Sequence, residues 1–142
     1  MKNTVKTVHI HQQDQTDCGV ACLKMVLQTM GSDAPLERLR ELSGTSKAGT
    51  TMLGLLQSAR DLGLDTEPYE SDMKSLLECT DICILHVIKD DIFQHYIVYY
   101  GYDTAKNLLT IGDPAQFKLT YITPEELEKI WKSHALLLLK PT

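Results

Sequence analysis

Aromatic residues are scarce in this 142-residue chain: two Phe, one Trp and six Tyr. Long apolar runs are missing too, and Ala135–Leu139, near the C-terminus, is far too short to span a bilayer. Met1–Asp17 is polar and holds no apolar stretch of signal-peptide length. The chain is therefore expected to be cytoplasmic, neither secreted nor membrane-embedded, with its thiols reduced. Positive charge is in deficit, 14 Lys and Arg against 19 Asp and Glu, for a net charge of -5. The lack of a basic stripe to neutralise phosphates argues against nucleic acid or an anionic membrane surface as the main partner. No repeat, low-complexity stretch or Pro/Gly-rich linker divides the chain, so residues 1–142 are expected to form a single domain.

What is present is a globular composition, 43% hydrophobic and 23% charged, sufficient for a real core. Val20, Leu23, Val26, Leu27 and Met30 recur at helical spacing between Asp17, an expected N-cap, and Gly31. A second helix is expected from Pro35 with Leu36, Leu39 and Leu42, and a third over Thr51–Leu62 with Leu53, Leu56 and Ala59 inward. The second half reads as strands: Leu64–Tyr69, Ile82–Ile88, His95–Tyr102, Asn107–Gly112, Phe117–Ile122 and Ala135–Leu139. Short helices are expected at Asp72–Glu78 and at Pro124–Trp131. Helices first and an antiparallel sheet second is an α+β pattern, two layers around one core.

Four cysteines stand at 18, 22, 79 and 83. Their C-x3-C spacings are not those of a zinc knuckle, and Cys22, Cys79 and Cys83 read as small buried hydrophobes. Cys18 differs, because it falls in the first turn of the first helix. There the free backbone N–H groups and the helix dipole favour an anion, and the thiolate is the reactive form of cysteine. Gly19 beside it leaves room for a substrate backbone. Asp17 works against ionisation of the thiol unless its own charge is spent on capping N–H groups. Gln12, Gln13 and Gln15, just upstream, each carry an amide able to donate to an oxyanion alongside the Cys18 N–H.

Five histidines are available as a base. His9 and His11 lie on the N-terminal arm and are expected to be exposed, and no carboxylate partner is evident for His134. His86 and His95 lie in the two strongest strands. A turn centred between Asp90 and Asp91 would make them cross-strand neighbours, and register alone does not choose between them. Asp113, at the end of the strand beside that of His95, is placed to orient an imidazole, or with Pro114 to start a turn.

Taken together, these residues resemble the C39 peptidase family, the N-terminal domains of bacterial ABC transporters that process and export bacteriocins, lanthipeptides and quorum peptides. The likeness covers nearly the whole chain. It rests on Gln12 through Leu23 with Asp17-Cys18-Gly19, on Gly49-Thr50 with Gly54-Leu55, Ala59 and Leu62-Gly63, on His95-Tyr96-Ile97-Val98, and on Asp113-Pro114. The resemblance implies a papain-like fold with the N-terminal helices packed on the C-terminal antiparallel sheet. It implies Cys18 as nucleophile, His95 as base, Asp113 as orienting acid and Gln12 as oxyanion donor, with no metal or organic cofactor. The implied substrate is a precursor peptide with an amphipathic helical leader, cut after a double-glycine-type motif (Gly-Gly, Gly-Ala or Gly-Ser). The implied partners are the transmembrane and ATP-binding domains of the same transporter, at the cytoplasmic face of the plasma membrane. Pro141-Thr142 falls about where such a protein would enter its first membrane helix, so an excised domain is expected ahead of a free-standing processing protease.

Overall fold

The computed structural model describes residues 7–12 and 14–142. A 3-10 turn, Gln15–Asp17, leads into α1 (Cys18–Thr29), followed by α2 (Leu36–Ser43) and α3 (Met52–Asp61). Then come β1 (Asp65–Glu70), α4 (Met73–Glu78), β2 (Ile82–Lys89), β3 (Phe93–Asp103), β4 (Leu108–Gly112), β5 (Thr120–Ile122), α5 (Pro124–Ile130) and β6 (Ala135–Lys140). The strands form one six-stranded sheet in the order β1-β6-β2-β3-β4-β5, and every neighbouring pair is antiparallel.

Local chemistry explains most boundaries. Thr51 Oγ1 accepts from the Gly54 N–H at 3.0 Å and starts α3. Asp72 caps α4 in the same way through Ser75 N–H at 2.8 Å. Thr123 and Glu126 form a reciprocal capping box around Pro124 at the head of α5. Gly44, with φ of 68°, ends α2 in the left-handed conformation that a side chain resists.

The sheet is covered on both faces, which corrects the two-layer expectation. On one face α1, α2 and α3 bury Val20, Leu23, Leu27, Leu39 and Leu55 against Ile84, Tyr96, Val98 and Leu137. On the other, α4 and α5 bring Leu76 and Leu127, with Trp131, onto Leu85, Val87, Ile97 and Tyr99. The period-two alternation of β2 and β3 feeds both cores, so these strands read as continuous apolar runs. Two smaller expectations also change. Leu53 is 62% exposed, and Leu55 is the residue that packs inward beside Leu56 and Ala59. β5 begins only at Thr120, and Phe117 sits 84% exposed in the preceding loop.

The feature that positions the site is an unequal pair of strands. β3 pairs with β2 from Phe93 to Tyr99, but its pairing with β4 stops at Val98–Gly112. The first residues of β3 therefore have a sheet neighbour on one side only, and the chain after β4 turns across the open end. Helix α1 is seated against the sheet close by: a Cβ on Gly19 would lie 3.2–3.3 Å from Thr50, Leu55 and Tyr96 side chains.

The α2–α3 crossing is tighter still. A Cβ at Gly54 would stand 2.1 Å from the Ser43 carbonyl oxygen, which is backbone and cannot rotate away. Gly54→Ala is expected to cost about 1–3 kcal/mol through forced separation of the two helices, read as a lower urea midpoint, whereas Ala at exposed Leu53 should leave the midpoint nearly unchanged.

Candidate active site

Cys18, His95, Gln12, Thr16, Tyr96 and Lys89 line one cleft of about 610 Å³, closed on another side by Lys47–Thr51 from the loop between α2 and α3. Cys18 opens α1 as expected, with its thiol at the positive end of the helix. Asp17 does not cap α1 with its side chain. Arg40 of α2 takes that carboxylate instead, Nε donating to Oδ1 at 2.8 Å and NH2 to Oδ2 at 2.5 Å. Asp17 is buried, and its negative charge is met by a bidentate guanidinium rather than left beside the sulfur. Asp17 thus holds the N-cap position as expected, but its charge is spent on Arg40 rather than on capping N–H groups.

His95 lies in the third position of β3, 7% exposed. Its Nε2 is 2.7 Å from Asp113 Oδ1, which leaves Nδ1 as the nitrogen available to Cys18. Burial by itself would lower the His95 pKa. The Asp113 hydrogen bond and the neighbouring Cys18 sulfur outweigh burial and raise it above the ordinary 6.5. Burial likewise acts to raise the Asp113 pKa, but the hydrogen bonds from His95 and Lys89 prevail and hold it at about 2. Both readings of Asp113 hold together: it also starts the turn after β4, accepting from Ala115 N–H at 2.9 Å while its carbonyl accepts from Gln116 N–H at 2.9 Å.

The structure separates the two strand histidines. Lys89 pairs with Phe93, so the β2–β3 turn is centred on Asp91 and not between Asp90 and Asp91. His95 consequently faces Val87, and His86 faces Tyr96, in adjacent rungs whose side chains alternate in direction. The physical reason is a three-residue connection in which Asp90 and Asp91 both take positive φ, 52° and 64°. Both ring nitrogens of His86 are engaged, Nδ1 with Ser133 Oγ at 3.1 Å and Nε2 with Gln94 Oε1. His86 lines the cleft but has no nitrogen free for a thiol.

Gln12 reaches the cleft from the N-terminal arm. Its backbone N–H donates to the Pro114 carbonyl at 2.7 Å, one residue past Asp113. Its side-chain oxygen is buried without a hydrogen-bond partner. The arm is tied down further by His9 Nε2 on the Gln116 carbonyl at 2.7 Å and by His11 stacked on Phe117 at 4.3 Å. His11 is exposed as expected, while His9 is half-buried. Gln13 lies outside the described residues, as does the side chain of Gln15.

The remaining candidates fall elsewhere. Cys22 is fully buried one turn behind Cys18, and burial pushes its thiol well up. Cys79, half-buried, and Cys83, buried, lie with their sulfurs 3.9 Å apart near the far end of β2. His134 has the carboxylate partner that sequence did not suggest, Glu128 at 2.7 Å, and it stacks on Trp131. Sequence reasoning also missed Lys89, which donates to the second carboxylate oxygen of Asp113. Its position as the last residue before the Asp90–Asp91 turn was the available signal.

A thiol at a helix N-terminus, an imidazole beside it and a carboxylate behind the imidazole are the working parts of a cysteine peptidase. The sequence profile of the Peptidase C39 family matches residues 6–142. The chain belongs to that family. It is 38% identical over 130 residues to the pediocin PA-1 transport/processing ATP-binding protein PedD of Pediococcus acidilactici, covering 89% of this chain and 18% of that protein. It is 40% identical over 124 residues to the transport/processing ATP-binding protein ComA of Streptococcus pneumoniae strain R6, covering 84% of this chain and 17% of that protein. The chain thus spans under a fifth of the length of these curated relatives. Among solved structures, the peptidase domain of Streptococcus ComA, a bifunctional ABC transporter of a quorum-sensing pathway, superposes with a TM-score of 0.87 at 38% identity, covering 96% of this chain and all of that one. A double-glycine-motif protease from an AMS/PCAT transporter, in complex with its leader peptide, superposes with a TM-score of 0.85 at 31% identity, covering 97% and 94%.

Two outcomes follow from the buried charges. Arg40→Met strands the Asp17 carboxylate and is expected to cost about 1–3 kcal/mol in chemical denaturation, with Asp17→Asn in the same chain restoring part of the loss. The His95 proton contributes stability that is fully present below pH 6.5 and fades as pH rises through its higher folded value, while Asp113 contributes above pH 3.8 and loses this as pH falls toward 2. Asp113→Asn should therefore flatten both pH dependences of the urea midpoint.

Proposed function

We propose that this chain is a cysteine endopeptidase domain that removes leaders from precursor peptides by cutting after a double-glycine-type motif. The observation that carries the reading is His95, with one ring nitrogen on the Asp113 carboxylate and the other free for Cys18 at the head of α1. In this mechanism Cys18 and His95 form a thiolate–imidazolium pair, and Asp113 orients the ring. The thiolate attacks the carbonyl of the last leader residue. The Cys18 N–H and the Gln12 amide receive the oxyanion. The buried, unpartnered state of the Gln12 side-chain oxygen supports this role, because a half-turn of the amide presents its N–H to an incoming anion. His95 then protonates the leaving amine, and water hydrolyses the thioester to release the leader.

The preference for two small residues before the cut follows from close walls. Gly49, Thr50 and Tyr96 line the cleft together with Cys18, and in this reading they leave space before the cut only for residues with little or no side chain. The leader docks as an amphipathic helix, its apolar face toward exposed apolar groups such as Phe93 at the cleft. The transport and processing roles of the relatives support a whole protein in which transmembrane and ATP-binding domains export the processed peptide, with residues 1–142 as one peptidase domain at the cytoplasmic face. Among the described residues no helix is long and apolar enough to cross a membrane.

The test is a synthetic leader peptide with a Gly-Gly junction, followed by mass spectrometry. Wild type should yield a single cut after the second glycine, and Cys18→Ala should yield none. Gln12→Ala should lower kcat by about 10²–10³-fold with KM little changed. Intact peptide from wild type, or equal cutting by Cys18→Ala, removes the proposal, and binding without cutting would mark a docking module instead. Asp113→Asn should cut kcat severely and move the alkaline limb of kcat/KM downward by about one pH unit or more, since the charge that raises the His95 pKa is gone.

A further inference from the structure

We infer that Lys89 is a positioning residue of this site, a fixed positive counterweight on Asp113 that limits how tightly His95 holds its proton. The inference deepens the peptidase reading above and rests on it. Lys89 is the last residue of β2, paired across the ladder with Phe93. Its side chain crosses the open end of β3 to reach Asp113, where Nζ donates to Oδ2. The other oxygen, Oδ1, accepts from His95 Nε2 and from Ala115 N–H. The carboxylate is 10% exposed and the lysine side chain 28%, so the pair is shielded enough for its charge to matter more than that of a surface pair.

The chemistry requires a compromise at His95. Its ring must stay protonated beside the thiolate, yet surrender that proton to the leaving amine. A carboxylate with no other partner would hold the imidazolium too firmly, and Lys89 draws part of that charge away. The titratable groups around the cleft, His95 apart, are Cys18 from α1, Lys47 from the α2–α3 loop, His86, Lys89 and Asp90 from β2 and its turn, Tyr96 from β3, and Asp113 after β4. Among the described residues Lys89 is the one lysine or arginine that touches Asp113, beside the His95 ring. Removing it leaves the site more negative, so His95 should deprotonate later and Cys18 should ionise later. A lysine that served only to tether Asp113 predicts the reverse at His95, because a freed carboxylate would leave the ring.

The experiment compares Lys89→Met, Lys89→Gln and Lys89→Arg with the parent chain, all carrying Cys79→Ser so that the half-buried second thiol is silent. Alkylation of Cys18 by iodoacetamide is followed across pH, peptide by peptide, and kcat/KM for the Gly-Gly peptide is measured over the same range. Met and Gln should each move both pH limbs upward by about half to one unit and lower kcat several-fold with KM nearly constant. Arg should match the parent. Gln keeps the stem length closely and decides the matter if Met folds poorly. Limbs that stay put or an alkaline limb that falls in Met or Gln, or an Arg variant that behaves like Met, would overturn the inference. Alkylation needs no substrate, so a parent chain that titrates at Cys18 but cuts nothing would count against the peptidase reading alone.

Discussion

The hydrogen bond between His95 and Asp113 is the interaction on which the arrangement of this molecule turns. It joins the start of β3 to the chain just past β4, across the gap where those two strands have ceased to pair. Extending the ladder would fill that gap with backbone hydrogen bonds and leave no room for an imidazole to work at the sheet's edge. Ending it early leaves polar side chains to close the opening, and they do so by pairing with one another. Asp113, His95, Lys89 and the Gln12–Pro114 backbone bond together make that closure.

Helix α1 supplies the other half. Its seat on the sheet is fixed by apolar burial, and its N-terminus is aimed at the open end of β3. The local charge problem created by Asp17, adjacent in sequence to the thiol, is handled by Arg40 from a different helix. Two residues distant in sequence, Arg40 and Asp113, therefore bear on the electrostatics of one sulfur, and each has a structural task as well: Arg40 fastens α2 to the head of α1, and Asp113 starts a turn.

Much of this was legible in the sequence, and the reasons it was not fully so are local. Helices and strands declared themselves through period and terminal signals, as at Gly31 and Pro124. The early residues of β3 did not reveal that β4 would stop short of them, because the pairing length of a strand is set by its partner. The β2–β3 register differed by one residue, because two consecutive aspartates adopt positive φ and lengthen the turn, a conformation their side chains tolerate but do not announce. The family resemblance brought Gln12, Cys18, His95 and Asp113 together in advance, and the geometry finds Cys18, His95 and Gln12 around one cleft with Asp113 bonded behind the imidazole. Contacts that depend on long side chains meeting across the fold, Arg40 with Asp17 and Lys89 with Asp113, carried no periodic signal. The same holds for Glu128 with His134, whose six-residue separation spans the end of a helix and a bend.

Gly19 has a mechanical consequence of its own. With three neighbours already closer than ordinary van der Waals contact to where a methyl group would stand, it sets how deeply the first helix sinks onto the sheet. The sulfur one residue earlier inherits that depth. Loops bordering the cleft are thus free to diverge, and to admit different peptides, while the height of the reacting atom above the floor stays constant, as a gauge block fixes a cutting tool regardless of the workpiece.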